Sequence, residues 1–522
     1  MKYFNVAGPC IEGKHYMIDA TERLYNELMD LINSEQYYVV HAARQTGKTT
    51  LLIDLANKIN KEGKYYAVYC SLENGYGITD PEKGIKSVIG SIKSAIKTYS
   101  SILKNPFTDN SDLTDFSNVL KDSLTDFCAT LDKPLILFFD EADCLSEGTL
   151  LSFLRQLRNG YITRSIAPFP NSIALVGMRN IRDYKAKIRE KQDTLGSASP
   201  FNIITESLTL RNFTKIEVEN LYKQHTNQTG QVFKDEALEI IFGQTQGQPW
   251  LVNAIARQVI EKQLKNDYSI PITAKMVSEA INTIILRRDV HIDQLLDKLK
   301  DPRVQKVIEE VIMGEGDDID FFSDEYSYVK DLGLIREINK VIEPANPIYT
   351  EVIIRVLNNK EQRILETDAR FSEYQMHKYY KNDTFDLSLM LQDFQQFWRE
   401  NSDIWQNKYQ YREAAPHLIL QAFLQRVLNG GGDIRRDMAT GRRRLDLCVE
   451  YLGKKYPIEL KINYGKKYLE RGTEQLLNYM DILGCNEGWL VAFDRNAEKS
   501  WEDKIYQKSE EKEGKTVNIF GC

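Results

Sequence analysis

Three short stretches of the chain carry residue types able to do chemistry. The first runs Ala42-Ala43-Arg44-Gln45-Thr46-Gly47-Lys48-Thr49-Thr50. It fits the end of the form G-x-x-x-x-G-K-[ST], in which loop amides cradle phosphates, the lysine reaches the β and γ phosphates and the hydroxyl holds Mg²⁺. Ala42 stands where the first glycine is expected. On this reading Gln45, Thr46, Gly47, Lys48, Thr49 and Thr50 contact a nucleotide, with ATP and Mg²⁺ as cofactors. The second stretch is Pro134 to Asp143, PLILFFDEAD. Asp140 is expected to share the Mg²⁺ with Thr49, and Glu141 to polarise the attacking water. Alone, it is equally a buried strand ending at an acidic turn; its place downstream of a phosphate loop favours nucleotide chemistry. The third stretch holds Asp446, Glu459 and Lys461, two carboxylates and an ammonium on neighbouring segments. Hard oxygens suit Mg²⁺ or Mn²⁺ at a phosphodiester, and a nearby lysine stabilises the same developing charge.

Elements able to position these groups are legible around each. Tyr37 to Val40 is an apolar, β-branched run leading into the phosphate loop, and Thr49 to Lys61 is helical in pattern and stops at Gly63. Tyr65 to Cys70, Pro134 to Asp140, Ser172 to Gly177 and Asn202 to Leu208 read as further strands, with helices expected at Ala20 to Asn33, Pro81 to Tyr99 and Leu113 to Leu131. A continuous apolar strand ending in carboxylates delivers charge to the carboxyl edge of a parallel sheet, where ligands bind. Near the C-terminus, Arg444 to Tyr451 and Tyr456 to Ile462 alternate as strands around a turn at Gly453-Lys454. Alternation puts Asp446 on one face and Leu445, Leu447 and Val449 on the other, while Glu459 and Lys461 share a face opposite Ile458 and Leu460. A two-faced sheet with its polar side in solvent has the same pattern.

Composition sets outer bounds. At 522 residues the chain exceeds one core, and 42% hydrophobic with 27% charged residues is ordinary globular usage. A net charge of -7 argues against a general nucleic-acid coat without excluding a local basic groove. The seven cysteines lack a C-x-x-C pair and read as reduced cytosolic thiols, without a zinc site. No run approaches the ~20 apolar residues of a membrane helix, so the expectation is a cytoplasmic protein with no membrane partner.

Two resemblances extend the reading. The helix opening at Gly247-Gln248-Pro249-Trp250 resembles the lid helix of AAA and STAND-type ATPases, and in AAA-type proteins a polar residue after the fourth strand senses the γ-phosphate; this implies Asn180, with Arg179 as the other candidate. Arginines 155, 158, 164, 182 and 189 are candidates for a finger acting across a homo-oligomer. The C-terminal segment resembles the PD-(D/E)XK nuclease core, with Glu413 on a helix, Asp446 on a strand, Glu459-Leu460-Lys461 on the next and Gln475 on the following helix. That likeness implies Glu413, Asp446 and Glu459 as metal ligands, Asp446, Glu459 and Lys461 as catalytic, and Gln475 as a further site residue. Leu445 stands where the proline of the family name would be. The whole order resembles bacterial AAA-like ATPases fused to such a nuclease.

The expected fold is therefore α/β: a P-loop parallel sheet over residues 1–210, a helical lid over 211–288, a winged-helix-like region over 289–360, a connector over 361–385, and an α/β nuclease-like domain over 386–522. The resemblance implies an ATP-binding and hydrolysing protein regulating a metal-dependent nuclease, in defence or mobile-element biology, with nucleic acid, DNA first, as partner. The alternative is a STAND-like signalling or scaffold ATPase whose C-terminal domain binds without cutting. The expected ATP use is slow and switch-like.

Overall fold

A computed structural model describes residues 1–110, 115–178, 200–287, 290–312, 323–338, 341–353, 377–381, 384–408, 416, 419–420, 423–424, 433–440, 443–463, 466–494, 496 and 499–522. Contacts divide the chain into two compact units, Met1–Asp289 with Asp320–Arg336, and Val290–Ile319 with Glu337–Cys522.

The first unit is built on five parallel strands, β1 (Tyr37–His41), β2 (Tyr66–Ser71), β3 (Leu135–Asp140), β4 (Ser172–Gly177) and β5 (Ile204–Thr209), in the order β2-β3-β4-β1-β5. Each of β1, β3 and β4 is buried along its whole length, which is why these strands read as continuous apolar runs. Successive residues serve opposite faces. Tyr37, Val39, Leu137, Phe139, Ile173 and Leu175 pack with α3 (Pro81–Thr98), α4 (Val119–Ala129) and α5 (Glu147–Thr163). Tyr38, Val40, Ile136, Phe138, Ala174 and Val176 pack with α1 (Tyr25–Asn33) and α2 (Lys48–Glu62). Each buried Val, Leu, Ile or Phe among them contributes roughly 1.5–3 kcal/mol of transfer free energy. The helix expected from Ala20 is interrupted: a 3₁₀ turn over Ala20–Arg23 is followed by Leu24 at φ −150°, and α1 starts at Tyr25. The expected helix from Leu113 starts later, at Val119.

The lid follows as α6 (Lys215–Thr229), α7 (Asp235–Thr245), α8 (Pro249–Arg257), a π-helical turn at Gln258–Gln263 and α9 (Ala274–Arg287). Thr214 and Glu217 form a capping box for α6. Gln248 caps α8, accepting from Leu251 N at 2.7 Å, with Pro249 in the first turn. The N-terminal segment packs on this lid through Phe4 and Tyr16 against Tyr222 and His225.

The region read as 289–360 is shared between the units. α10 (Val290–Lys298) and α11 (Pro302–Ile312) fall in the second, and α12 (Asp324–Asp331) in the first. A hairpin pairs β6 (Ile335–Ile338) with β7 (Val341–Pro344).

The second unit also holds a small hairpin of β8 (Tyr380–Lys381) and β9 (Thr384–Phe385), the helix α13 (Leu387–Lys408), and a six-stranded sheet ordered β10-β11-β12-β13-β15-β14. Its strands are β10 (Asp433–Thr440), β11 (Arg443–Tyr451), β12 (Lys454–Asn463), β13 (Glu487–Asp494), β14 (Tyr506–Lys512) and β15 (Lys515–Gly521), and α14 (Lys466–Leu483) crosses from β12 to its parallel neighbour β13. Met390, Phe394 and Phe423 cover one face through Leu447, Ile458 and Leu460; Leu476, Tyr479 and Met480 of α14 cover the other through Cys448 and Leu490. The turn between β11 and β12 is Leu452-Gly453, one residue earlier than the expected Gly453-Lys454, because Tyr451 already pairs with Lys454. Both turn residues have positive φ, 47° and 80°, the conformation of a two-residue hairpin that matches strand twist.

Candidate functional site

The phosphate loop lies between β1 and α2. Gln45 at φ 59° and Gly47 at φ 94° are left-handed, and such turns direct successive backbone N–H groups into one concavity. Lys48 is 7% exposed. Its ammonium donates to the carbonyls of Ala42 (2.8 Å) and Ala43 (2.9 Å) of the same loop, so the cation is held where a phosphate would meet it. Burial lowers its pKa, opposed by the nearby Asp140, Glu141 and Asp143.

At the head of α2, Thr49 Oγ1 donates to Asp140 Oδ2 at 2.7 Å, joining the loop to the acidic end of β3. Asp140 is 1% exposed. Its Oδ1 accepts from the N–H of Glu141 at 3.0 Å, and its Oδ2 also accepts from Tyr69 Oη at 3.1 Å. Burial first, then the adjacent Asp140, raise the Tyr69 pKa well above the ordinary tyrosine range, so the phenol stays a donor. Glu141 sits in the left-handed region at φ 55°. Its carboxyl pKa is raised by burial first, then by Asp140 and Asp143. Asp143 in turn accepts from Met178 N at 3.0 Å, tying the acidic turn to the end of β4. A hydroxyl and a carboxylate converging within hydrogen-bond distance, with more acidic oxygen beside them, are a donor set that fits Mg²⁺.

The remaining loop residues are occupied by the scaffold. Thr46 Oγ1 donates to Ala43 O at 2.8 Å, and Thr50 Oγ1 accepts from Cys10 N at 3.0 Å. The Thr46 carbonyl accepts from Arg23 Nη1 at 2.8 Å, and Gln248 Nε2 reaches the Gln45 carbonyl at 3.5 Å. Arg23 is buried beside the Phe213 ring, and burial draws its pKa down to about 10. At the end of β1, His41 Nε2 lies 3.0 Å from Thr209 Oγ1 and 3.5 Å from Asp331 Oδ1. Arg23 and Tyr69 escaped the sequence reading, because neither belongs to a spaced motif. Asn180 and Arg179 lie outside the described residues, as do Arg182 and Arg189. Among the other arginines, Arg164 donates to the Glu35 carbonyl at 2.8 Å and lies over the Tyr161 ring, whereas Arg155 is exposed.

In the second unit, Leu447 pairs with Ile458 in the antiparallel register. Asp446 immediately precedes that pair on β11 and Glu459 immediately follows it on β12. The side chain of Asp446, and Glu413 altogether, lie outside the described residues. Glu459 is 1% exposed, and its Oε1 lies 2.8 Å from Lys461 Nζ. α14 crosses close above: a Cβ at Gly472 would come within 2.9 Å of Lys461 Cγ and 3.0 Å of Leu490 Cδ1. Gln475, half-buried, lies on the same helix. Among the described residues no cluster of three or more His, Cys, Asp or Glu forms a metal site, and no helix is long and apolar enough to cross a membrane.

A family described as "AAA-like domain" matches residues 20–354. The chain belongs to this AAA-like family. The matched span takes in the phosphate loop, Asp140 and Glu141, and the lid of the AAA-like protein, and it ends before the Asp446–Lys461 hairpin. Among solved structures, a Walker-type ATPase of Pyrococcus abyssi is 14% identical, covering 67% of this chain and 99% of its own, with a TM-score of 0.47. The RuvB Holliday junction branch migration motor of Thermotoga maritima is 12% identical over 64% of this chain and 93% of its own, at a TM-score of 0.33. The ORC1 protein of Aeropyrum pernix, solved in complex with DNA, is 12% identical over 65% and 92%, also at 0.33. No curated protein matches the AAA-like chain at a significant level.

Proposed function

We propose that the first unit binds and hydrolyses ATP with Mg²⁺, and that this cycle regulates a metal-dependent, phosphodiester-cleaving C-terminal unit acting on DNA. The observation that carries the ATPase half is the 2.7 Å contact between Thr49 and Asp140 beneath a left-handed phosphate loop. Lys48 would leave its loop carbonyls for the β and γ phosphates, and Thr49 and Asp140 would hold the metal. Glu141, its carboxyl pKa raised by burial and flanking carboxylates, would orient and deprotonate the attacking water. Mg²⁺ there would neutralise the phosphate charge that develops in transfer.

Support for the second half is the close Glu459–Lys461 pair on β12, the antiparallel pairing of β12 with β11, the strand that carries Asp446, and the glycine that lets α14 cross above Lys461. The order of three antiparallel strands, α14 and a parallel strand also agrees with the strand and Gln475-helix part of the resemblance to the PD-(D/E)XK core. Asp446 and Glu459, with Glu413, would supply the hard oxygens for Mg²⁺ or Mn²⁺, and Lys461 would stabilise the phosphodiester charge. Assembly through the ATPase unit would let one of the candidate arginines, the exposed Arg155 among them, act on a neighbouring copy.

The test compares plasmid cleavage by wild type, Lys461→Ala and Lys48→Ala with ATP and either metal. Loss of cutting in Lys461→Ala with ATP turnover intact, and loss of turnover in Lys48→Ala, are the expected results. Equal cutting by all three would remove the proposed roles.

A further inference from the structure

The lid contains a cavity of about 250 Å³ that no part of the phosphate-loop chemistry uses. Its apolar side is made by Val6 of the N-terminal segment with Trp250 and Ala254 of α8. Its other side is cationic, with Arg257 ending α8, Lys262 in the π-helical turn and Arg287 ending α9. Gln258 lies between them: Arg287 Nη1 reaches its Oε1 at 3.5 Å, while Arg257 Nε pairs with Glu261 at 2.9 Å. Trp250 donates from Nε1 to the Val6 carbonyl at 3.0 Å, which fixes the indole as a wall.

The backbone here is unusual. Leu264 N donates to Val259 O, five residues back, rather than four. Single π turns of this kind occur rarely and concentrate at binding sites, because the wider turn re-aims side chains that an α-helix would carry elsewhere. The turn contributes Lys262 and the neutral Gln258 to the wall that Arg257 and Arg287 complete. Arginine forks and an ammonium suit phosphate oxygens, and a fixed indole suits a planar ring.

We propose that this cavity binds a small nucleotide as an effector, with its phosphates on Arg257, Lys262 and Arg287 and its ring against Trp250. The site is additional to the phosphate loop. α8 links the two, since its capping Gln248 reaches the Gln45 carbonyl at one end and Arg257 lines the cavity at the other. Gln248 and Arg257 are nine residues apart, about 14 Å along a helix at about 1.5 Å per residue. Occupancy would therefore bias the lid helix that touches the phosphate loop.

Titration calorimetry of the full chain with ADP and Mg²⁺ tests this. Wild type is expected to bind two equivalents, Lys48→Ala to keep one, and the double variant Arg257→Gln with Arg287→Gln to keep the phosphate-loop equivalent while weakening the other at least tenfold. In the Lys48→Ala background, ADP should quench tryptophan emission, and adding Trp250→Phe should abolish the quenching. A single wild-type equivalent lost completely in Lys48→Ala overturns the inference. So does a double variant that weakens a single equivalent, because the cavity would then be one end of the phosphate-loop site. Pyrophosphate binding as tightly as ADP would overturn the assignment of a ring. Failure of wild type to bind ADP at all would overturn both the inference and the phosphate-loop reading.

Discussion

Replacing Tyr69 with phenylalanine removes one oxygen from a buried site and leaves the ring. That hydroxyl is one of three donors to the Asp140 carboxylate, with Thr49 at 2.7 Å and the Glu141 N–H at 3.0 Å. A hydrogen bond to a charged group contributes about 1.5–3 kcal/mol. The Tyr69 bond, at 3.1 Å, is the longest of the three and its loss leaves two donors in place, so the low end applies. About 1.4 kcal/mol corresponds to a factor of ten. When Thr49 turns to a metal, Tyr69 becomes the side chain that keeps Oδ2 in position. The Mg²⁺ concentration for half-maximal ATP turnover should therefore rise about tenfold in Tyr69→Phe, with metal-free nucleotide binding little changed. Tyr99→Phe is the control, because the Tyr99 hydroxyl accepts from the backbone N–H of Tyr69 and leaves Asp140 alone. Superimposable Mg²⁺ curves for wild type and Tyr69→Phe would refute the reasoning, as would an equal shift in Tyr99→Phe.

Glu141→Gln should bind ATP and fail to turn it over; undiminished phosphate release would remove that residue from catalysis. Because the Glu141 pKa is raised in the fold, its neutral form favours folding below the ordinary carboxyl pKa, and that contribution disappears as pH rises through the raised value. Turnover needs the carboxylate, so the acid limb of the rate profile should lie above 4.5, the ordinary glutamate value, and should move down in Asp143→Asn; an unmoved limb in that variant argues against the like-charge cause. Gly247→Ala places a side chain at φ 71° with its Cβ 1.9 Å from the Phe213 carbonyl, a strain of about 3 kcal/mol or more, and should lower the melting temperature of the ATPase unit by several degrees. Gly472→Ala should displace α14 from Lys461 and abolish DNA cutting while ATP turnover persists; retained cutting would separate that helix from the site.

Much of the first unit was legible because burial and pattern coincide. PLILFF can be apolar throughout only where both faces of a strand are covered, and the carboxylates beginning at Asp140 then mark the open edge of the sheet. The antiparallel pairing of β11 with β12 was legible from alternation, even though the turn lies one residue earlier than expected. Arg23 and Tyr69 were not, since their meaning lies in contacts with Thr46 and Asp140, 23 and 71 residues away. The edge strand β14, YQKSEEK, is mostly exposed and highly charged, so its composition resembles a solvated run; its place comes from backbone pairing with β15. The break at Leu24 has no proline or glycine to announce it.

The path of the chain between the units sets rules for anyone dividing the protein. The backbone crosses from one unit to the other at 289/290, 319/320 and 336/337. A truncation ending at 289 would look complete by helix count, yet it would strip Asp331 from His41 and remove Gly333, whose added Cβ would lie 2.4 Å from the Ala43 Cβ. A truncation ending at 354, where the family match stops, would keep those contacts and also carry residues 290–319 and 337–354 of the second unit, where His291 and Tyr349 hydrogen-bond to each other. A recombinant ATPase fragment should therefore extend at least to 336, and a domain-swap library that cuts at 289 should give an ATPase half that has lost the Asp331 and Gly333 contacts.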